Sequence, residues 1–230
     1  MIDAQLVGRL TFAHRLPTKP ALAPGRHSLG LFEERDAMLV VPEGLAPRRA
    51  VPLVVIFHGG GGSADKILPM LETHARERGF LLLAPQSIFP TWDLVIGGNG
   101  PDRERLDLAL AEVASRFLLD PTRFAFAGHS DGGSYTLSLG LTNGDVVTHL
   151  IVSSAGFMSV HMQVGAPRIF LSHGTRDEQI PIGRSARVHR QQLAEARYDV
   201  RYVEYDGPHA YQPAVVAQAV DFFLAEDPEA

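Results

Sequence analysis

From Asp36 to the C-terminus, short apolar runs alternate with longer stretches of mixed polarity. A continuous run rich in β-branched residues has no face to give to water and reads as a strand covered on both sides, whereas apolar residues three and four apart mark one face of a helix. On that basis residues 37–41 form an early strand ended by Pro42, and 53–57 form a buried central strand. Over residues 67–78, Ile67, Leu68, Leu71 and Ala75 share a helical face, with Gly79 as the stop. Residues 80–84 are the next strand, and 85–101, rich in Gly and Pro, form an irregular loop. Leu106, Leu110, Val113 and Phe117 predict a helix over 102–118, broken by Asp120 and Pro121. Strands follow at 124–127, 149–153, 168–172 and 200–205, and helices at 132–141, 184–196 and 214–224. This alternation predicts an α/β fold, a mostly parallel central sheet with helices on both faces. The 230 residues read as one domain, with 1–35 as an N-terminal extension or an edge strand.

Composition narrows the chemistry. The chain has no cysteine, which excludes disulfides, thiolate metal sites, iron-sulfur clusters and a cysteine nucleophile. Its net charge of -5 comes from interleaved acidic and basic residues, so no basic patch exists for a phosphate backbone and nucleic acid is not an expected partner. No apolar run approaches the roughly 18 to 20 residues of a membrane span. The N-terminus also lacks the basic start, apolar stretch and cleavage site of a secretory signal, so a cytoplasmic protein is expected. Ten histidines raise the question of a metal, but no HExxH or equivalent paired spacing is present, and neither a metal nor a cofactor is expected.

The strongest chemical signal is Gly128-His129-Ser130-Asp131-Gly132-Gly133, a GxSxG motif between a predicted strand and a predicted helix. Such a turn is tight enough to strain the serine backbone and lift its hydroxyl above the sheet, and the following helix aims free amides at a developing anion. The bland alternative is a glycine-rich turn whose serine caps the helix. Upstream, His58-Gly59-Gly60-Gly61-Gly62 follows a strand; Gly59 or Gly60 would donate one backbone amide to an oxyanion and Asp131 the second. The glycines are not followed by the GKS or GKT of a nucleotide loop. A serine hydroxyl needs a base, and the base needs an orienting carboxylate, in the chain order serine, acid, histidine. Asp177 lies on the loop after strand 168–172, with Glu178 and Asp206 as rival acids. His209 lies on the loop after strand 200–205, with His173 and His189 as rivals.

With these segments in place, the sequence resembles the α/β-hydrolase superfamily. More narrowly it resembles the compact phospholipase/carboxylesterase group, which includes dienelactone-hydrolase-like and acyl-protein-thioesterase-like enzymes. The matching stretches are 52–61, Asp120-Pro121-Thr122-Arg123 leading into the serine motif, His173-Gly174 with Asp177 and Ile180-Pro181, and Gly207-Pro208-His209. The resemblance implies an α/β-hydrolase fold and hydrolysis of small-molecule carboxylic esters or thioesters by a Ser130, Asp177, His209 triad. The chain departs from the narrower groups in having no nucleophilic cysteine and in carrying Asp131 where thioesterases commonly have glutamine.

Residues 154–167 leave no room for a large cap domain, so an open site is expected. Trp92 and Phe89, with Phe157 from the segment after the nucleophile helix, are the expected lining of an apolar substrate pocket. The competing readings are a catalytically silent small-molecule-binding protein on the same fold, and a serine peptidase.

Overall fold

The strand β5 (Leu119–His129) shows how the residues set the layers: Phe124 and Phe126 face one buried cluster, and the intervening Ala125 and Ala127 face the other. Period-two alternation with apolar groups on both sides is what a strand covered on both faces requires. The computed structural model describes residues 8–46, 49–98 and 100–225. Among these, β5 is joined by β1 (Gly25–Ser28), β2 (Met38–Val41), β3 (Val51–Phe57), β4 (Leu81–Ala84), β6 (His149–Ser153), β7 (Arg168–Gly174) and β8 (Val200–Tyr205). They form one sheet in the order β1-β2-β4-β3-β5-β6-β7-β8. β2 pairs antiparallel with β1 and β4, and every other neighbouring pair is parallel.

Leu53, Val55 and Phe57 of β3 join the Phe124 cluster, which is completed by α3 (Pro101–Arg116), α4 (Asp131–Thr142) and α5 (Ala186–Glu195). Val54 and Ile56 join the opposite cluster with α1 (Ala64–Ile67), α2 (Glu72–Arg78) and α6 (Pro213–Leu224). The expected fold class therefore holds. Residues 154–167, between β6 and β7, contain no helix and no inserted domain. No helix among the described residues is long and apolar enough to cross a membrane.

Local departures from the sequence expectation have identifiable causes. The helix expected over 67–78 is interrupted by a 3₁₀ turn, Leu68–Met70, because Pro69 has no amide to donate and its ring clashes with an α-helical carbonyl. Gly79 does end α2, in the left-handed region at φ 74°. The helix expected over 102–118 ends at Arg116, and β5 begins at Leu119, earlier than the expected 124. Pairing of β5 with β3 shifts register between Val51 and Leu53, so Pro121 sits in an irregular stretch where a missing amide costs no regular ladder bond. The N-terminal region does two things. Leu10 and Phe12 pack into the Phe124 cluster, with their amides bonded to Asn143 Oδ1 and Asp107 Oδ1, and Gly25–Ser28 forms the polar edge strand β1.

His189 on α5 is a buried titratable group in this frame. Burial pushes its imidazole down to about 4 from an ordinary value of 6.5. The unfolded chain therefore binds a proton that the folded chain refuses, and stability is lost as pH falls from about 6.5 to about 4. Urea denaturation at pH 7 and pH 4.5 should show this loss, with His189 contributing roughly 2 to 3 kcal/mol. His189→Leu should reduce the dependence by that share, the rest coming from the other histidines with lowered pKa values; an unchanged slope in that variant would contradict the assignment.

Candidate active site

β5 ends at His129 and α4 begins at Asp131, so Ser130 alone makes the turn, at φ 59° and ψ -125°. A non-glycine residue there stores on the order of 1 to 3 kcal/mol and needs a rigid frame. The frame is visible on both sides. The Ser130 amide donates to Ser153 O at 3.0 Å, and Ser130 O accepts from the Ser134 amide at 3.0 Å. A Cβ on Gly128 would lie 2.2 Å from Gly132 O, and one on Gly132 would lie 2.0 Å from Phe57 O, so only glycine fits at either position. Ser130 makes no side-chain bond to cap α4, contrary to the bland reading of the motif.

The Ser130 hydroxyl instead donates to His209 Nε2 at 2.9 Å, and His209 Nδ1 donates to Asp177 Oδ2 at 2.7 Å. Because an ionised carboxylate only accepts, the proton of the imidazole lies on Nδ1 and leaves Nε2 free to take one from serine. Asp177 Oδ1 accepts from the amides of Gln179 and Ile180 at 3.0 and 2.8 Å. Burial raises its pKa, but the Ile180 amide and His209 outweigh burial and hold the carboxyl below its ordinary range. The rival acids lie elsewhere: Glu178 is exposed, and Asp206 pairs with Arg176 at 2.6 Å.

Two histidines complete the surroundings. His173, fully buried, donates from Nε2 to Ile180 O at 2.8 Å and lies 3.1 Å from Asp177 Oδ2. It braces the acid loop, a role the sequence reading missed although its His-Gly signature at a strand end was in view. His129 bonds through Nδ1 to Ser153 Oγ at 3.0 Å, and its ring lies 4.8 Å from that of His209. Burial and the neighbouring His209 push His129 down to about 4, so it presents a neutral ring.

The glycine segment lies against the same serine: a Cβ on Gly59 would stand 3.3 Å from Ser130 Cβ, and one on Gly60 would meet Asp131 Oδ2 at 2.6 Å. The Gly61 amide is bonded to Pro90 O and that of Gly62 to Gly59 O. The amides of Gly59 and Gly60 have no acceptor among the described residues, and that of Asp131 is one of the open donors at the start of α4. His58 holds the segment from below. Its Nδ1 donates to Gly59 O at 2.8 Å, and its Nε2 accepts from Gln86 at 2.9 Å, whose Oε1 takes the Ala64 amide. Burial lowers the His58 pKa, in keeping with a neutral ring.

Trp92 requires a correction. Expected to line a pocket, it is 1 % exposed, stacked on Tyr135 at 4.7 Å and edge-on to Phe57 at 5.1 Å. Its indole N–H donates to His58 O at 2.8 Å, so it anchors the glycine segment. A buried indole needs an acceptor for its one donor, and here that acceptor comes from another loop. Thr91 beside it donates to Asp131 Oδ2 at 2.7 Å. Phe89 is exposed, and Phe157 is half-buried with its amide on Ser134 Oγ, one turn along α4 from Ser130. His209 also lines a cleft of about 390 Å³ together with Arg176, Glu178, Gln179 and Pro208.

No family model and no curated protein matches the sequence. Solved structures match through the fold. Esterase PE8 is 20 % identical at a TM-score of 0.67, with 80 % of this chain and 95 % of that one covered. S-formylglutathione hydrolase FrmB of Staphylococcus aureus is 15 % identical at 0.66, with 83 % and 92 % covered. FphF, a fluorophosphonate-binding serine hydrolase of the same organism, is 17 % identical at 0.69, with 89 % and 100 % covered. The chain has the α/β-hydrolase fold.

Trp92→Phe keeps the ring stacking but leaves His58 O without its donor. Chemical denaturation should show a loss of about 1 to 3 kcal/mol, the cost of a buried unpaired carbonyl. Hydrogen exchange at Gly61 and Gly62, whose amides are bonded to Pro90 O and Gly59 O, should accelerate by more than this global change explains. Unchanged exchange at both glycines would show that the indole does not hold the segment.

Proposed function

We propose that the chain hydrolyses small-molecule carboxylic esters, or thioesters, through an acyl-enzyme on Ser130. The observation that carries the reading is the continuous relay from the strained Ser130 through His209 to the buried Asp177. His209 Nε2 takes the hydroxyl proton as Ser130 Oγ attacks the carbonyl carbon, and the charge that builds on the carbonyl oxygen is received by the amides of Gly59 or Gly60 and Asp131. The imidazolium then protonates the leaving oxygen or sulfur, the bond to it breaks, and the acyl group remains on Ser130. Water loses a proton to the same nitrogen and attacks the acyl-enzyme; collapse returns the proton to Ser130 Oγ and frees the acid. Asp177 holds the useful tautomer and stabilises the imidazolium without itself being protonated. Support also comes from what the structural neighbours are called: an esterase and a fluorophosphonate-binding serine hydrolase share the fold.

A fluorophosphonate probe should label the wild-type protein at Ser130 and leave Ser130→Ala unlabelled. Labelling that persists in the variant would sink the reading. Asp177→Asn should keep the fold and lower kcat on a p-nitrophenyl ester by roughly 10³ to 10⁴, with KM little changed.

Acidification should reduce the rate, because a protonated imidazole cannot accept the serine proton. Asp177, held ionised below the usual carboxylate range, adds no loss until the medium is more acidic still. A rate profile with no acid limb would contradict this role of His209.

A further inference from the structure

A general base has to be held as closely as the nucleophile it serves, and the loop that carries His209 has few ties. His209 sits at the centre of a three-residue turn closed by a bond from the Ala210 amide to Pro208 O at 2.8 Å. That bond is internal to the turn and cannot place it on the sheet. Apart from the bonds of the His209 ring, the only hydrogen bond that joins residues 208–211 to another part of the chain, among the described residues, runs from the Tyr205 phenol to Ala210 O at 2.6 Å.

Tyr205 is the last residue of β8 and follows the loop along its length. Its carbonyl accepts from the Thr175 amide at 2.8 Å, which fixes the point where the loop departs. Its ring lies against Gly207, where a Cβ would stand 2.9 Å from Cδ2 and Cε2. Gly174, the partner of Tyr205 in the ladder, comes so close that its own Cβ would lie 2.4 Å from Gly207 O and 2.6 Å from Pro208 O. The entry to the loop is thus held by backbone, and the exit by one hydroxyl. Burial raises the pKa of that phenol, so it remains a donor. With Ala210 O released, the turn could pivot about Pro208 and carry the imidazole with it, and a base displaced from hydrogen-bond reach of the hydroxyl loses most of its effect.

We infer that Tyr205 is a positioning residue of the reaction: by holding Ala210 O, its hydroxyl keeps the His209 turn where Nε2 meets Ser130 Oγ and Nδ1 meets Asp177. The inference rests on the ester-hydrolase reading of Ser130. Tyr205 transfers no proton and acts through the loop alone.

Tyr205→Phe keeps the ring against Gly207 and deletes only the donor. On p-nitrophenyl acetate its kcat should fall by about tenfold with KM little changed, because the base moves while the substrate surface does not. The rate of fluorophosphonate labelling should fall with it, since that reaction needs the same activated serine. Tyr202→Phe, which loses a 2.9 Å bond to Glu204 on the same strand, is the control and should match wild type in both assays. Gly207→Ala leaves the phenol in place but crowds its ring, and should reproduce the fall in kcat, so the outcome does not hang on one variant folding. A second readout needs no substrate. The proton between His209 Nδ1 and Asp177 gives a proton NMR signal far downfield of the amides, and it should broaden or vanish in Tyr205→Phe while staying sharp in Tyr202→Phe. A Tyr205→Phe enzyme with kcat within about twofold of wild type and a sharp downfield signal would overturn the inference. So would a loss of kcat matched by an equal loss of folded protein in thermal melting. The hydrolase reading fails separately: no turnover of any ester and no fluorophosphonate labelling in wild type would defeat it, and the downfield signal would still decide whether Tyr205 holds His209.

Discussion

The backbone of Ser130 is the constraint from which the site is built. A serine at φ 59° between a strand and a helix is uphill by itself, so every neighbour has to make the alternative conformations worse. β5 is paired on both sides, with β3 and β6, and its end cannot slide. The Ser130 amide is claimed by Ser153 O, and α4 can approach Phe57 O only because residue 132 has no side chain. Under the turn, Phe57 meets the rings of Phe126, Tyr135 and Trp92 edge-on, giving the strained backbone a dense apolar floor. The strain is local, but what sustains it is the packing of the whole sheet centre.

Around that turn, the loops are tied by single polar bonds rather than by secondary structure. Gln86 and Trp92, from the segment after β4, grip His58 after β3. Thr91 grips Asp131 at the head of α4. Asp177 ties the loop after β7 to His209 on the loop after β8, and His173 at the end of β7 braces the first of these loops. Each bond satisfies a group that would otherwise be buried unpaired, so the loops have little freedom to exchange partners. His58 and His173, which are buried, and the half-buried His129 have lowered pKa values and serve this framework as neutral rings.

Legibility in the sequence followed how local each cause is. Ser130 could be found because the glycines at 128 and 132 answer to a turn only a few residues long. Asp177 and His209 could be placed because each follows a strand, and parallel strands deliver their following loops to one sheet edge. The break at Pro69 was written in the residue itself and lost to the apolar spacing around it. Trp92 was illegible for a different reason: its acceptor, His58 O, is 34 positions away in the chain, and no pattern near residue 92 announces it. β1 could be read only as one alternative for residues 1–35, an edge strand without bounds, because Gly25–Ser28 has no apolar alternation to fix its place.

The position of Trp92 gives the molecule a built-in optical reporter. It is the only tryptophan in the chain, shielded from water, stacked on Tyr135 and joined through its N–H to the carbonyl that precedes the glycine segment. Indole emission depends on the polarity and hydrogen bonding of its surroundings, so fluorescence from this protein is a one-residue signal originating directly beneath Gly59. Events at the bottom of the site are thereby visible in the unlabelled chain.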